Sequence, residues 1–293
     1  MRCLFVEVVT NAFMNESRQT NWARLCLVTA VDVEFNIAMK LLTDVVLTQD
    51  SGLKLGRGQV SGQHVTVLQT EMGAPGFAEK LRRHLAHNAY DVLLIAGLAG
   101  GLAPHLSSGT GFLYDQCYDA RTGDSVTASK EKRPSRDENA SIRCDSAVVD
   151  DLSRRLTQAG LTGLRGAGLT CAQIVTRSAE KQGLGKQYDA LAADMESFMV
   201  LAVCAERNLP AAVLRVISDD ANCDLPDFNR AATAEGRLQP ASLAWAMLSQ
   251  PGASWQFLRQ LRPALKSLQR HLQAVLDASV GVANLTTKAK LDS

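Results

Sequence analysis

Short apolar runs rich in β-branched residues recur along the chain: LCLVTAV (25–31), HVTVLQT (64–70), VLLIAG (92–97), TGFLYDQCY (110–118) and AAVLRVIS (211–218). Runs of this length without strict apolar–polar alternation read as strands buried on both faces. Between them, apolar residues recur at helical spacing over 34–43, 76–88, 146–159 and 193–207. Strands alternating with helices predict an α/β sheet covered on both sides. The spacing is too irregular for an eight-fold barrel, and there is no internal repeat.

Two stretches break the pattern. Segment 119–144 is polar and poor in apolar residues, which predicts a long excursion. Residues 223–240, with Pro226 and Pro240, read as a second irregular connection. Beyond them the chain reads as helical to about residue 279. There Leu258, Leu261, Leu265, Leu268, Leu272 and Val275 form one apolar stripe, with Arg259, Arg262, Lys266 and Arg270 off it. Pro263 either kinks this helix or opens a second one. The stripe has two uses: packing on the domain, or peripheral contact with an anionic membrane through 254–277, where Trp255 and Phe257 add aromatic rings. The expected division is an N-terminal extension over 1–22, an α/β domain over 23–235, a helical extension over 236–279 packed on the same domain, and a tail over 280–293 without periodicity.

Composition narrows the class. A chain of 293 residues with 46% hydrophobic content suits one large domain, since single cores stop growing at roughly 250–300 residues. A formal net charge of +1 gives no pull towards nucleic acid. No apolar run approaches a bilayer span, and the first residues are too acidic for a signal peptide. The seven cysteines are scattered without a C-x-x-C pair, and the five histidines lack metal spacing. The expectation is a cytoplasmic protein with free thiols and no metal.

Candidate chemistry gathers where predicted strands end. AGLAGGLAP (96–104) follows VLLIAG; its glycines let a ligand approach the backbone, or serve a tight turn alone. In ALAADMESFMVLAVCAER (190–207), Asp194 and Glu196 fall at the start of a buried helix. The helix dipole accounts for acids there; the functional reading has Glu196 accepting hydrogen bonds from a ribose diol. In VLRVISDDAN (213–222), Arg215 interrupts an apolar strand and needs a partner or an anion. Ser218, Asp219 and Asp220 stand at that strand's end. Adjacent carboxylates repel, and a partly buried one is more easily kept protonated as a general acid. A turn rich in Asp and Asn is the plainer account. In LVTAVDVEFNIAMKLL (27–42), Asp32 and Glu34 open a helix, either as dipole partners or to orient a nucleophile.

The set A-x-D-x-E (30–34), G-L-A-G-G-L (97–102), D-M-E-S (194–197) and R-V-I-S-D (215–219), in this order and spacing, resembles the purine nucleoside phosphorylase and methylthioadenosine/S-adenosylhomocysteine nucleosidase superfamily over about residues 25–222. The resemblance implies a three-layer α/β/α fold around a mixed, partly barrel-like sheet. It implies cleavage of the N-glycosidic bond of a purine nucleoside, with adenine the expected base, by phosphate or by water. It makes Asp219 the acid that protonates the leaving purine at N7, with Glu34 and Arg215 around the nucleophile. Glu196 and Met195 become ribose contacts, Ala99 and Gly100 backbone neighbours of the base, and Ile174 and Val175 the lining of the base pocket. Ser218, beside Asp219, joins the substrate-binding set. The resemblance also implies a homo-oligomer and no cofactor, with inorganic phosphate the candidate co-substrate. The chemistry agrees: ribosyl transfer passes through an oxocarbenium-like state that carboxylates stabilise, and the base leaves as an anion unless protonated.

The sequence departs from well-known members in three ways. Leu98 stands where nucleosidases usually carry Ser, Ile174 cannot stack on a purine, and the R-x-G-x-x-G phosphate motif is absent. Water and phosphate therefore both stay open as nucleophile. The stretch SDDANCDLPDFNRAATAEGRLQP, followed by a helical segment with a Q-P-G break, is similar to the hopanoid-associated phosphorylases, which implies lipid-linked adenosylhopane as a substrate and a place at the inner membrane. A methylthioadenosine/S-adenosylhomocysteine-type nucleosidase is the alternative. A nucleoside-binding protein without catalysis is the alternative of another class, and retention of Glu34, Glu196, Arg215 and Asp219 argues against it.

Overall fold

The computed structural model describes residues 22–70, 76–121, 140–231 and 247–277, side chains 230 and 231 excepted. The N-terminal extension before Trp22, most of the polar segment 119–144, residues 232–246 and the tail over 280–293 lie outside the described residues.

Among the described residues ten strands form one mixed sheet. They are β1 (Arg24–Thr29), β2 (Thr43–Asp50), β3 (Leu53–Val60), β4 (Gln63–Gln69), β5 (Val92–Gly101), β6 (Gly111–Asp119), β7 (Ser141–Arg143), β8 (Leu164–Thr170), β9 (Ala190–Asp194) and β10 (Ala211–Asp219). The helices are α1 (Asp32–Met39), α2 (Phe77–His87), α3 (Ser146–Gln158), α4 (Ser178–Tyr188), α5 (Ser197–Ala205) and α6 (Pro251–Leu276), with a 3₁₀ turn at Phe228–Ala231.

Strand β5 organises the sheet. Its first residues run parallel to β1 on one side, and most of its length runs parallel to β10 on the other. Its last two residues, Gly100 and Gly101, also pair antiparallel with Ala193 and Ala192 of β9. The path β10–β6–β8–β9–β5 thus closes back on β10, which gives the partly barrel-like sheet. The apolar runs behave as their patterning predicts: every residue of β10 is buried, and β1 is buried after Arg24.

Two local expectations change. The glycine segment after VLLIAG is the end of β5 rather than a turn: pairing with β1 ends at Ile95, Gly100 still pairs with Asp219 of β10, and β9 pairs with Gly100 and Gly101. The helix expected over 193–207 begins at Ser197; Ala190–Asp194 is a strand, and Glu196 is the N-cap residue rather than part of the first turn.

The C-terminal stripe packs on the domain. Helix α6 lies against β10, β5 and β6 and meets α3 and α1. Leu268, Leu272 and Val275 are buried, while Arg259, Arg262, Lys266 and Arg270 are exposed. Arg155 of α3 donates to the Val275 carbonyl at 3.0 Å, and Ser108 and Ser267 tie the loop after β5 to the helix. The helix continues through Pro263 without a second start. Among the described residues no helix is long and apolar enough to cross a membrane.

Candidate active site

The carboxyl ends of β1, β5, β9 and β10 surround a cavity of about 840 Å³. That is towards the large end of the roughly 300–1,000 Å³ usual for small-molecule sites. Glu34, Ala99, Gly100, Ile174, Val175, Met195, Glu196, Ser218 and Asp219 all line it. Arg215 does not: it lies fully buried behind the wall, 1% exposed.

Glu34 comes from the first turn of α1, is 3% exposed, and reaches back beneath its own helix start. Its Oε2 accepts from the Ala30 and Val31 amides at 2.9 and 3.2 Å, and its Oε1 accepts from the Leu98 amide at 2.7 Å. Leu98 therefore contributes its backbone here in place of a hydroxyl. The close approach needs Gly97: a Cβ there would lie 2.6 Å from Glu34 Oε1 and 2.7 Å from Arg215 Nη1. Gly97→Ala is expected to displace both charged groups and lower kcat/KM by roughly ten- to a hundredfold. The unfolding midpoint and the activity, measured on one preparation, check this, and wild-type activity would show that neither group needs its position.

Behind the wall, Arg215 is held among carboxylates. Its Nε donates to Asp194 Oδ2 at 3.2 Å, and its Nη2 donates to Ser197 Oγ at 3.0 Å and reaches Glu196 Oε2 at 3.5 Å. Burial works against the guanidinium's charge, but Asp194 and then Glu196 outweigh it and hold its pKa above the ordinary value. Asp194 is saturated with donors. Oδ1 accepts from Thr170 Oγ1 and the amides of Glu196 and Ser197, and Oδ2 accepts from the Tyr114 hydroxyl as well as Arg215. Burial pushes this carboxyl up, but the charge of Arg215 and the hydrogen bonds from Ser197 and Thr170 more than offset it, so it stays below the usual carboxylate range. The network fixes the bend from β9 into α5 and so presents Met195 and Glu196 to the cavity.

Asp219 ends β10 and is 3% exposed. Its Oδ1 lies 2.5 Å from Ser218 Oγ, which also lies 3.1 Å from the Ala99 carbonyl, so the single hydroxyl proton serves one acceptor at a time. Its Oδ2 accepts from Lys181 Nζ at 2.6 Å. Lys181, on α4, is 0% exposed and also lines the cavity. Sequence reasoning misses it, although its register was a signal: Lys181 shares the buried face of α4 with Leu184 and Tyr188.

The remaining wall comes from distant segments. Asn229 of the 3₁₀ turn exchanges hydrogen bonds with both backbone groups of Ile174, at 3.0 and 2.9 Å. Phe228 packs edge-on against Phe257 with ring centroids 5.1 Å apart. Leu225, Met247, Leu258 and Leu261 complete an apolar side. Among the described residues there is no cluster of His, Cys, Asp and Glu suited to a metal ion.

The sequence matches the family described as the phosphorylase superfamily over residues 24–249. It is 26% identical over 205 residues, 68% of this chain and 86% of the relative, to a 5′-methylthioadenosine/S-adenosylhomocysteine nucleosidase of Haemophilus ducreyi. Solved structures share the fold. A 5′-methylthioadenosine/S-adenosylhomocysteine nucleosidase of Helicobacter pylori with butyl-thio-DADMe-Immucillin-A superposes with a TM-score of 0.66 at 16% identity, covering 88% of this chain and 99% of that one. The futalosine hydrolase of Helicobacter pylori gives 0.65 at 16% identity, covering 86% and 97%.

Proposed function

The chain belongs to the phosphorylase superfamily, and from that premise we propose that it breaks the N-glycosidic bond of a purine nucleoside, with adenine as the base. The observation that carries this reading is the meeting of Glu34, Glu196 and Asp219, from three different strand ends, in one cavity large enough for a nucleoside. Glu196, with Met195, holds the ribose hydroxyls, and its charge stabilises the oxocarbenium-like sugar. Asp219, with Ser218 beside it, faces the base between Ala99–Gly100 and Ile174–Val175 and protonates N7 as the base departs. Glu34 orients the nucleophile, and Arg215 sets the position of Glu196 from behind.

Water is the nucleophile in this reading. Among the described residues the cavity carries Glu34, Asp194 and Glu196, and two nearby cations, Arg215 and Lys181, already have partners in Asp194 and Asp219. A phosphate dianion entering there meets net negative charge. The test is adenine release from adenosine and 5′-methylthioadenosine with and without inorganic phosphate. Release at the same rate in both, with free ribose or methylthioribose as co-product, supports the reading. A strict need for phosphate overturns the choice of nucleophile, and no release from any purine riboside overturns the function.

The apolar wall of Leu225, Phe228, Phe257, Leu258 and Leu261 supports a nucleoside whose 5′ substituent is large and apolar, such as adenosylhopane. At that end of α6, Trp255 is 72% exposed beside the basic Arg259 and Arg262, which supports peripheral membrane contact through the helix's first turns. Adenosine bearing a 5′-alkyl chain is then preferred over adenosine in kcat/KM; the opposite preference sinks the lipid-linked substrate. Exposed Val45, Val46 and Leu47 on edge strand β2, together with Val33 at the cavity rim, support a homo-oligomer that covers them.

A further inference from the structure

Lys181 is a fully buried cation that neither the family motifs nor the function above accounts for. Its Nζ donates to Asp219 Oδ2 at 2.6 Å, to the Cys223 carbonyl at 2.9 Å and to the Asp220 carbonyl at 3.2 Å. An ammonium has three protons, and all three are used. Burying this pair costs desolvation, and an apolar pair of the same volume would join α4 to β10 at least as well. The fold therefore does not require a lysine here. Its partner is the one carboxylate that must hand a proton to the leaving base, and the pair sits at the cavity wall.

We propose that Lys181 is a positioning residue that acts through Asp219, holding its carboxylate in place and resupplying it with the proton that goes to the purine. The inference rests on the base-release reading given above. As the C1′–N9 bond breaks, its electron pair passes to the purine, and N7 takes a proton from Asp219. The Lys181 ammonium passes a proton across the 2.6 Å contact to restore the acid and becomes a neutral amine. Water forms the new C1′–O bond and loses its proton to Glu34. After the base leaves, Glu34 gives its proton up to solvent and the Lys181 amine takes one from it, which restores both groups. Lysine suits this duty and arginine does not, because a guanidinium keeps its proton in proteins.

The surroundings leave this pair as the source of the proton. Among the described residues the other ionisable groups lining the cavity are Asp32, Glu34, Asp194 and Glu196, all carboxyl groups. On the loop after β10, Asp220 Oδ2 accepts from Gln260 Nε2 at 2.9 Å. Burial pushes the Cys223 thiol up to about 11, and the amides of Gln256 and Gln260 lie against its sulfur. Arg215, on the same strand as Asp219, is turned towards Asp194.

The test is the pH profile of kcat for Lys181→Met and Lys181→Arg, with thermal unfolding to show that each folds. If Lys181 resupplies the proton, Lys181→Met loses roughly 10²-fold in kcat at pH 8 and less than about fivefold at pH 5.5, where protons from solvent are about 300 times more abundant. Lys181→Arg follows the same profile, and Lys181→Met costs nothing further in an Asp219→Asn background. A loss of equal size at both pH values, or full recovery of the pH 8 rate by arginine, overturns the relay; so does a wild-type profile in either variant. Failure of the wild-type enzyme to release any purine defeats the underlying function instead and is seen before any variant is made.

Discussion

Asp219→Asn is expected to lower kcat for purine release by about 10²–10⁴-fold while leaving KM little changed. Asparagine keeps the shape of the side chain. Its carbonyl oxygen can take the place of Oδ2 and accept from Lys181 Nζ, now 2.6 Å from the carboxylate. Its amide can still donate a hydrogen bond to N7 but cannot release a proton. Binding of the base and ribose, which the proposed function assigns to Met195, Glu196 and the Ala99–Gly100 backbone, should survive. The loss therefore falls on the chemical step, where a group acting only in the transition state shows itself. Single-turnover kinetics and calorimetric binding of adenine on the same variant separate the two. Full activity would remove Asp219 from the role of acid, and loss of adenine binding in proportion to kcat would make it a recognition group only.

How much of this site was legible in the sequence depends on whether its residues act through local pattern. Asp219 and Glu34 stand at the end of one buried strand and the start of the helix after another, and both positions follow from the apolar runs. Glu196 was legible as a residue but not in its setting, because ALAADMESFMVLAVCAER reads as one apolar helix. The break at Asp194 comes from pairing of β9 with β8 and β5 and from the donors gathered on Asp194 from β6, β8 and β10. Strands β2 and β3 are absent from the apolar pattern for a related reason: β2 is an edge strand with Val45, Val46 and Leu47 exposed, and glycines 56 and 58 interrupt β3. The apolar wall from α6 and Lys181 on α4 depend on contacts across long sequence separations, 38 residues for Lys181–Asp219. No periodicity within either helix names the partner.

Arg215→Met tests the other half of the site, and its expected effect is on stability: about 3–5 kcal/mol lost at pH 7.5, because methionine keeps much of the volume but leaves buried carboxylates without their cation. Asp194 bears most of this, being 7% exposed and in contact with Arg215 at 3.2 Å. In the wild-type fold its carboxyl is held below the usual range. Its contribution is therefore present above the unfolded value of about 3.9 and is lost only as pH falls through the lower folded value. In the variant, burial acts without the guanidinium and raises the same carboxyl. The penalty is then greatest at neutral pH and is relieved as pH falls through that raised value towards the unfolded one. The gap in urea unfolding free energy between wild type and Arg215→Met should thus narrow steadily from about pH 7 to pH 5. A gap that stays constant over that range would mean that Arg215 stabilises the bend at Asp194–Ser197 by packing alone. A narrowing gap assigns it to charge: Arg215 is then the counter-ion that lets Asp194 stay ionised in the protein interior and, in the proposed reaction, holds Glu196 at the wall that faces the oxocarbenium-like sugar.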